Sequence, residues 1–336
     1  MGKIVTLGEV VADVYREKAP SDVELPFTAR PGGAPANVAV AAARLGAEAG
    51  FVGRLGDDLF GDFILLALES TGVDTSAILR QEPPTRTTLA FVEVSEDGDR
   101  EFTFYRSVPA ADELLAPEDI KRTSLEGASF ANFGSIPLIK DPVRSATRRF
   151  AELANEMDVA VAFDVNLRAH LWESMDAFRE AIDPLIDLST IVKVSEDEIV
   201  PVLGTDDPDE ATARLLERGV TLALVSMGGD GALYATRDFS GRVPIFDIDV
   251  VVDATGAGDA FLAGTLTHLS EHPGWAEDEA VVREAVTRGT AAGALACTDF
   301  GAMRALPSRE ALERFMAERR PKAHASADLP PTASAR

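Results

Sequence analysis

Short apolar runs rich in β-branched residues alternate along this chain with longer stretches whose apolar positions recur every three or four residues. Ile4–Leu7, Gly50–Val52, Val159–Phe163, Thr190–Val194 and Leu222–Val225 read as strands buried on both faces. Ala36–Leu45, Phe60–Thr71, Val143–Glu156 and Glu210–Arg218 lie between them with helical spacing, and Asp259–Leu269, Glu279–Thr298 and Arg309–Arg319 follow. Such alternation predicts an α/β fold with a mostly parallel central sheet flanked by helices. Two stretches break the rhythm. Val11–Arg16 with Phe27–Arg30 is one, and Thr87–Val94, a turn at Glu96–Asp99 and Arg100–Arg106 is the other. With no helix between their strands, these segments (about 11–30 and 87–106) predict a small antiparallel sheet beside a main domain spanning 1–320. The segment PKAHASADLPPTASAR, 321–336, is small, polar and proline-bearing and reads as a disordered tail.

Composition narrows the class. Cys297 is the single cysteine, so no intrachain disulfide or multi-cysteine metal site can form. No apolar run reaches the ~20 residues of a membrane helix, and Met1–Leu7 lacks a signal-peptide pattern, so a soluble cytoplasmic protein is expected. The charge is lopsided. Acidic residues number 56 against 32 basic ones, a formal net charge of −24. Such a surface repels nucleic acid and anionic membranes, leaving small molecules as the expected partners. Self-repulsion on this scale is relieved by concentrated salt, where the Debye length falls to ~3 Å at 1 M. A halophilic host is one explanation; an acidic enzyme from an ordinary cytoplasm is the other.

Candidate chemistry gathers where the strands end, the usual ligand edge of an α/β sheet. Ile4–Leu7 runs into Gly8–Glu9 with Asp13 beyond, and Val159–Phe163 into Asp164, Asn166 and Arg168. Thr190–Val194 carries Lys193 and leads to Ser195–Glu198, and Leu222–Val225 leads to Ser226, Gly228, Gly229 and Gly231. The most informative segment is Asp253-Ala-Thr-Gly-Ala-Gly-Asp259, followed by a helical run. Its glycines allow close backbone approach, and the helix start turns free N–H groups toward an anion. Asp259 in that first turn can take a proton from an attacking hydroxyl. An acid-capped helix start after a glycine turn is the plain structural alternative. A second glycine pair opens a helix at Pro31-Gly-Gly-Ala-Pro-Ala-Asn37. Neither GxxxxGK[ST] nor a standard GxGxxG occurs, which excludes a P-loop or dinucleotide fingerprint.

Together, Gly32–Gly33 with Asn37 and Asp253–Asp259 resemble the two signatures of the PfkB (ribokinase-like) carbohydrate kinases, over Ile4 to about Phe315. The resemblance implies a ribokinase-like fold, ATP-dependent phosphorylation of a sugar hydroxyl, and a lid formed by the small sheet that also makes a homodimer contact. It implies Asp259 as base and the amides of Gly256, Ala257 and Gly258 as anion hole. Asp13, Gly32, Gly33 and Asn37 would hold the sugar. Lys193, Ser195, Ser226, Gly228, Gly229 and Gly231 would lie on the nucleotide side. Asp253 and Thr255 would bind a monovalent cation, typically K+, and Glu198 would act on Mg2+ through water.

One position departs from the family pattern. Ser195-Glu-Asp-Glu198 stands where an Asn-x-x-Glu motif is usual, and Ser195 with Glu198 also fits a helix capping box. Phe104-Tyr-Arg106 with Ala111-Asp112, and Asp164-Val-Asn-Leu-Arg168 with Leu171–Trp172, resemble the fructokinase branch and also the 2-keto-3-deoxygluconate kinases. Arg106 would reach a sugar hydroxyl or a substrate carboxylate, and Arg168 the ATP phosphates. A surface salt bridge is the plain alternative for each. A catalytically idle sugar-sensing member is the remaining reading. His268 and His272 lie four apart but lack the HExxH order.

Overall fold

The computed structural model describes residues 2–17, 21, 23–94, 100–319 and 321. Nine strands form the main sheet: β1 (Lys3–Leu7), β4 (Glu48–Gly56), β5 (Asp74–Gln81), β8 (Ala128–Gly134), β9 (Ala160–Asp164), β10 (Ile191–Ser195), β11 (Leu222–Ser226), β12 (Ala232–Ala235) and β13 (Ser240–Val243). Four more, β2 (Val11–Arg16), β3 (Phe27–Gly32), β6 (Leu89–Val94) and β7 (Arg100–Tyr105), form a separate sheet. The main sheet runs β13-β12-β11-β10-β9-β8-β1-β4-β5, parallel from β11 to β5, with β12 and β13 antiparallel at one edge. The chain begins in the middle of this order, moves outward to β5, then restarts at β8 on the other side of β1. That reversal opens a crevice at the carboxyl ends of β1 and β8.

The strands are apolar on both faces because helices cover both. In β11, Leu222 and Leu224 join the core under α1 (Ala34–Arg44), α2 (Leu59–Ser70), α7 (Ala257–Ser270), α8 (Glu279–Ala296) and α10 (Arg309–Glu318). Ala223 and Val225 point the other way, toward α3 (Val143–Glu156), α4 (Met175–Asp187), α5 (Glu196–Leu203) and α6 (Pro208–Glu217). Period-two alternation between two apolar layers is what a parallel sheet requires. A short helix, α9 (Ala302–Ala305), sits beside the site. Among the described residues no helix is long and apolar enough to cross a membrane.

The smaller sheet has the order β3-β2-β6-β7. Its two outer pairings are antiparallel, as expected for hairpins, and a parallel pairing of β2 with β6 joins them. One face, with Val11, Asp13, Ala90 and Phe104, is turned to the main cavity. The turn expected at Glu96–Asp99 lies outside the described residues, as does the tail from 322 onward. Pro321 makes an isolated antiparallel bridge with Phe246, so the chain is still docked at the residue where the tail was expected to begin.

Candidate active site

A cavity of about 740 Å³ lies between the smaller sheet and the carboxyl edge of the main sheet. Two glycine turns build its floor. Gly33 has φ 106, and a Cβ there would fall 2.6 Å from the Glu9 carbonyl oxygen, so only glycine lets α1 start this close to the β1–β2 connection. A Cβ on Gly32 would collide with the Asp13 carboxylate. Asn37, one turn into α1, donates through Nδ2 to Asp259 Oδ2 at 2.7 Å. The second turn ends at Gly256, the N-cap of α7, with φ 82. Gly289 and Gly293 of α8 allow α7 to pack closely, since a Cβ on either would press on the carbonyls of Phe261 or Ala257.

The first turn of α7 differs in one detail from the expected anion hole. The Ala257 amide donates to the Ala254 carbonyl at 3.2 Å, which closes the turn and removes that amide from the hole. The amides of Gly256, Gly258 and Asp259 make no hydrogen bond among the described residues, so the free donors shift toward Asp259. Asp259 is 8% exposed. Burial raises its pKa above the usual carboxylate range, and Asn37, Lys193 and Arg168 oppose that rise. Lys193 lies under the turn and lines the same cavity. It pairs with Asp164 at 2.9 Å with both side chains buried, and a Cβ on Gly258 would sit 3.2 Å from its Nζ. Burial works against its charge, but Asp164, Glu198 and Asp259 outweigh it and keep it an ammonium.

The cavity gathers Asp13, Gly33, Asn37, Arg106, Arg168, Lys193, Asp253, Thr255, Gly256, Gly258 and Asp259 from the sequence-derived set. It does not gather Gly32, Ser195, Glu198, Ser226, Gly228, Gly229, Gly231 or Ala257. Ser195 and Ser226 face each other across β10 and β11, and the Gly228–Asp230 turn follows beyond the cavity rim. Both Glu198 oxygens are engaged: one accepts from the Ser195 amide at 2.7 Å, the other from the Leu167 amide. Glu198 therefore pins the 165–168 loop that presents Arg168, and the capping reading holds for its Ser195 contact. The Asp253 carboxylate accepts from the amides of Thr255 and Gly301, each at 2.8 Å, tying the anion turn to the 299–301 turn. Among the described residues no three His, Cys, Asp or Glu side chains cluster to hold a metal ion.

Three polar lining residues were not singled out as site residues from sequence: Glu9, Asn166 and His170. Asn166, at φ 40, follows a strand end, and that position was its available signal. His170 carried no comparable mark.

A buried carboxylate beside open helix-start amides, facing a covered polar cavity, defines a phosphotransferase-type site on a ribokinase-like fold. The family model for the pfkB family carbohydrate kinases matches residues 1–309, and the chain belongs to that family. A protein from Arabidopsis thaliana named probable fructokinase-6, chloroplastic, is 41% identical over 317 residues, covering 93% of this chain and 82% of the relative. The crystal structure of a fructokinase from Vibrio cholerae O395 in a fructose-, ADP- and calcium-bound form superposes with a TM-score of 0.83 at 34% identity, covering 94% and 99%. An aminoimidazole riboside kinase from Salmonella enterica, complexed with aminoimidazole riboside and an ATP analog, superposes with a TM-score of 0.81 at 35% identity, covering 94% and 99%. The protein is a carbohydrate kinase, a phosphotransferase acting on a sugar hydroxyl.

Proposed function

We propose that this kinase is an ATP-dependent fructokinase. The observation that carries the reading is Asp259, held by Asn37 at 2.7 Å in the same cavity as Asp13 and the first-turn amides of α7. The sugar lies under the smaller sheet against Asp13, Gly32, Gly33 and Asn37, and Asp259 accepts the proton of a primary hydroxyl as it attacks the γ-phosphorus. The amides of Gly256, Gly258 and Asp259, with Lys193 and Arg168, stabilise the charge that spreads over the phosphoryl oxygens. The smaller sheet acts as a lid and keeps water from competing. Ser195, Ser226 and the Gly228–Gly231 turn form the outer nucleotide wing.

Magnesium, bound with the nucleotide, supplies further neutralisation of the phosphates. Because Glu198 already accepts two backbone N–H groups, its part is to orient water around that ion. A buried carboxylate at Asp253, flanked by the two turns it ties together, suits a monovalent cation such as K+ with Thr255 beside it. The enzyme works in the cytoplasm, and its acidity suits a halophilic host.

Fructose is favoured over a sugar acid by the state of Arg106. Its guanidinium is already paired with Glu113 at 3.3 Å and Asp112 at 3.7 Å. A carboxylate ligand at Arg106 would sit beside two acids, and the bare Nε and Nη2 of Arg106 suit a neutral hydroxyl as acceptor. The names of the relatives point the same way. The test is ATP-dependent phosphorylation of fructose, 2-keto-3-deoxygluconate, ribose and a nucleoside in molar KCl with Mg2+. Preference for fructose is expected. Preference for the keto-acid would make Arg106 a carboxylate anchor, and silence with every sugar would favour a sugar-sensing role.

The lid also carries the proposed homodimer contact. On its outer face Phe91 packs against Phe27 (centroids 5.2 Å apart) and Tyr105 (4.7 Å). Phe27 is 43% and Tyr105 62% exposed, an aromatic surface that a second copy would cover. Tyr105→Glu should convert the dimer to a monomer in light scattering; a monomeric parent protein would contradict the contact.

A further inference from the structure

One buried acid in the cavity has no part in the mechanism so far. Glu9 follows β1 directly, at the point where the chain leaves the main sheet for the lid. It is 5% exposed and lines the main cavity with Asp13, Asn37 and Asp259. Its Oε2 is buried and makes no hydrogen bond among the described residues. An acid this deep usually has its oxygens satisfied, because leaving one bare costs about 1–3 kcal/mol. The exceptions cluster where a ligand completes the set.

The groups around Glu9 come from three parts of the fold. Arg106 at the end of β7 and Arg168 from the loop after β9 favour its charge, while Asp112 opposes it. Glu113 and Lys140 share with Glu9 a small side cavity of about 30 Å³, and they pair with each other at 2.7 Å. Arg106 bonds Glu113 and lies 3.7 Å from Asp112, and its Nε and Nη2, like Glu9 Oε2, make no hydrogen bond among the described residues, so it does not saturate Glu9. Asp13, Asn37 and Asp259 stand around the same main cavity, on the side where the sugar is placed.

We infer that Glu9 is a further substrate-binding residue, whose free Oε2 accepts a hydrogen bond from a sugar hydroxyl other than the one phosphorylated. The inference rests on the sugar-kinase reading and deepens it. Glu9 fixes the orientation of the ring at the hinge of the lid, opposite the carboxylate that takes the proton. The ligand class is a neutral polyol ring, because the bare atom is a carboxyl oxygen that accepts from a hydroxyl and would repel a substrate carboxylate, while Asp112 and Glu113 already engage Arg106 and Lys140.

A coupling experiment tests this. Steady-state kinetics are measured for fructose and its monodeoxy analogues with the parent enzyme, Glu9→Gln and Glu9→Ala. The assays are run at pH 8, where Glu9 is ionised, and loss of a hydrogen bond to a charged group lowers kcat/KM by about 10- to 100-fold. One deoxy analogue should therefore suffer a loss of that size with the parent enzyme and almost none beyond fructose itself with Glu9→Ala. Glu9→Gln keeps the shape and guards against misfolding; it should raise the KM for fructose while leaving the KM for ATP unchanged. Equal penalties for every analogue in all three enzymes would overturn the inference while leaving the kinase reading intact. A parent enzyme silent on every sugar would remove both.

Discussion

At the scale of the residue, burial sets the behaviour of the two key acids. As the proposed base, Asp259 must be ionised to take a proton, and burial raises its pKa, so kcat should fall on the acid side at a pH above the ordinary carboxylate range. A pH–rate profile that stays flat down to that range would contradict this. Glu9 is lifted as well, from 4.5 to about 7, chiefly by burial and also by Asp112, against the pull of a backbone N–H, Arg106 and Arg168. The folded protein thus holds a proton that the unfolded chain has already lost. Stability from this group is lost as pH rises from about 4.5 through about 7, by roughly 3 kcal/mol for a shift of this size. Glu9→Gln should therefore stabilise the fold at pH 8 and not at pH 4, measured by urea unfolding. An acid kept at such a cost is consistent with use in binding. Asp259 and Asn37 were legible in the sequence because each sits in the first turn of a helix opened by glycines. Glu9 was visible only as a strand-end residue. Its burial and bare oxygen depend on how the lid and the β9 loop close over it, which spacing along one chain does not encode. The same limit applies to Ala257, whose amide direction depends on the turn closing through Ala254.

At the scale of the element, periodicity found what was strongly patterned. The helix expected at Val143–Glu156 has those bounds, and the other expected helices and strands agree within a few residues. Among the elements that were missed, two have a plain physical cause. β8, with sequence ASFANFG, mixes polar residues into a buried strand, and its Asn132 is paid for by a bond to the Ala162 carbonyl at 3.0 Å. α4 carries Pro184 inside it, a residue that argues against helix on sequence grounds. The hairpins of the smaller sheet were legible, but their parallel joining through β2 and β6 was not, because it brings together strands far apart in sequence. The α1 start yields a sharp test. Gly33→Ala would place a Cβ against the Glu9 backbone at φ 106, so it should cost about 1–3 kcal/mol of stability and raise the KM for sugar. An unchanged unfolding midpoint would show that the turn can relax.

At the scale of the whole molecule, a net charge of −24 has to be reconciled with a compact fold. Arginines tie acids into small surface networks: Arg218 bridges Asp183 and Asp187, and Arg288 bridges Glu284 and Glu313. Exposed pairs of this kind contribute little each, so self-repulsion remains the larger effect. The melting temperature should rise by several degrees between dilute buffer and 1 M KCl; no rise would refute the salt-adapted reading. The same molecule is held to be a kinase whose chemistry turns on one carboxylate. The direct test is Asp259→Asn, with fructose phosphorylation, ATP binding and thermal unfolding measured on one preparation. Turnover should drop by about 10²-fold or more while ATP binding and folding persist. Turnover at the parent rate would contradict the assignment of Asp259 as the base and the mechanism built on it.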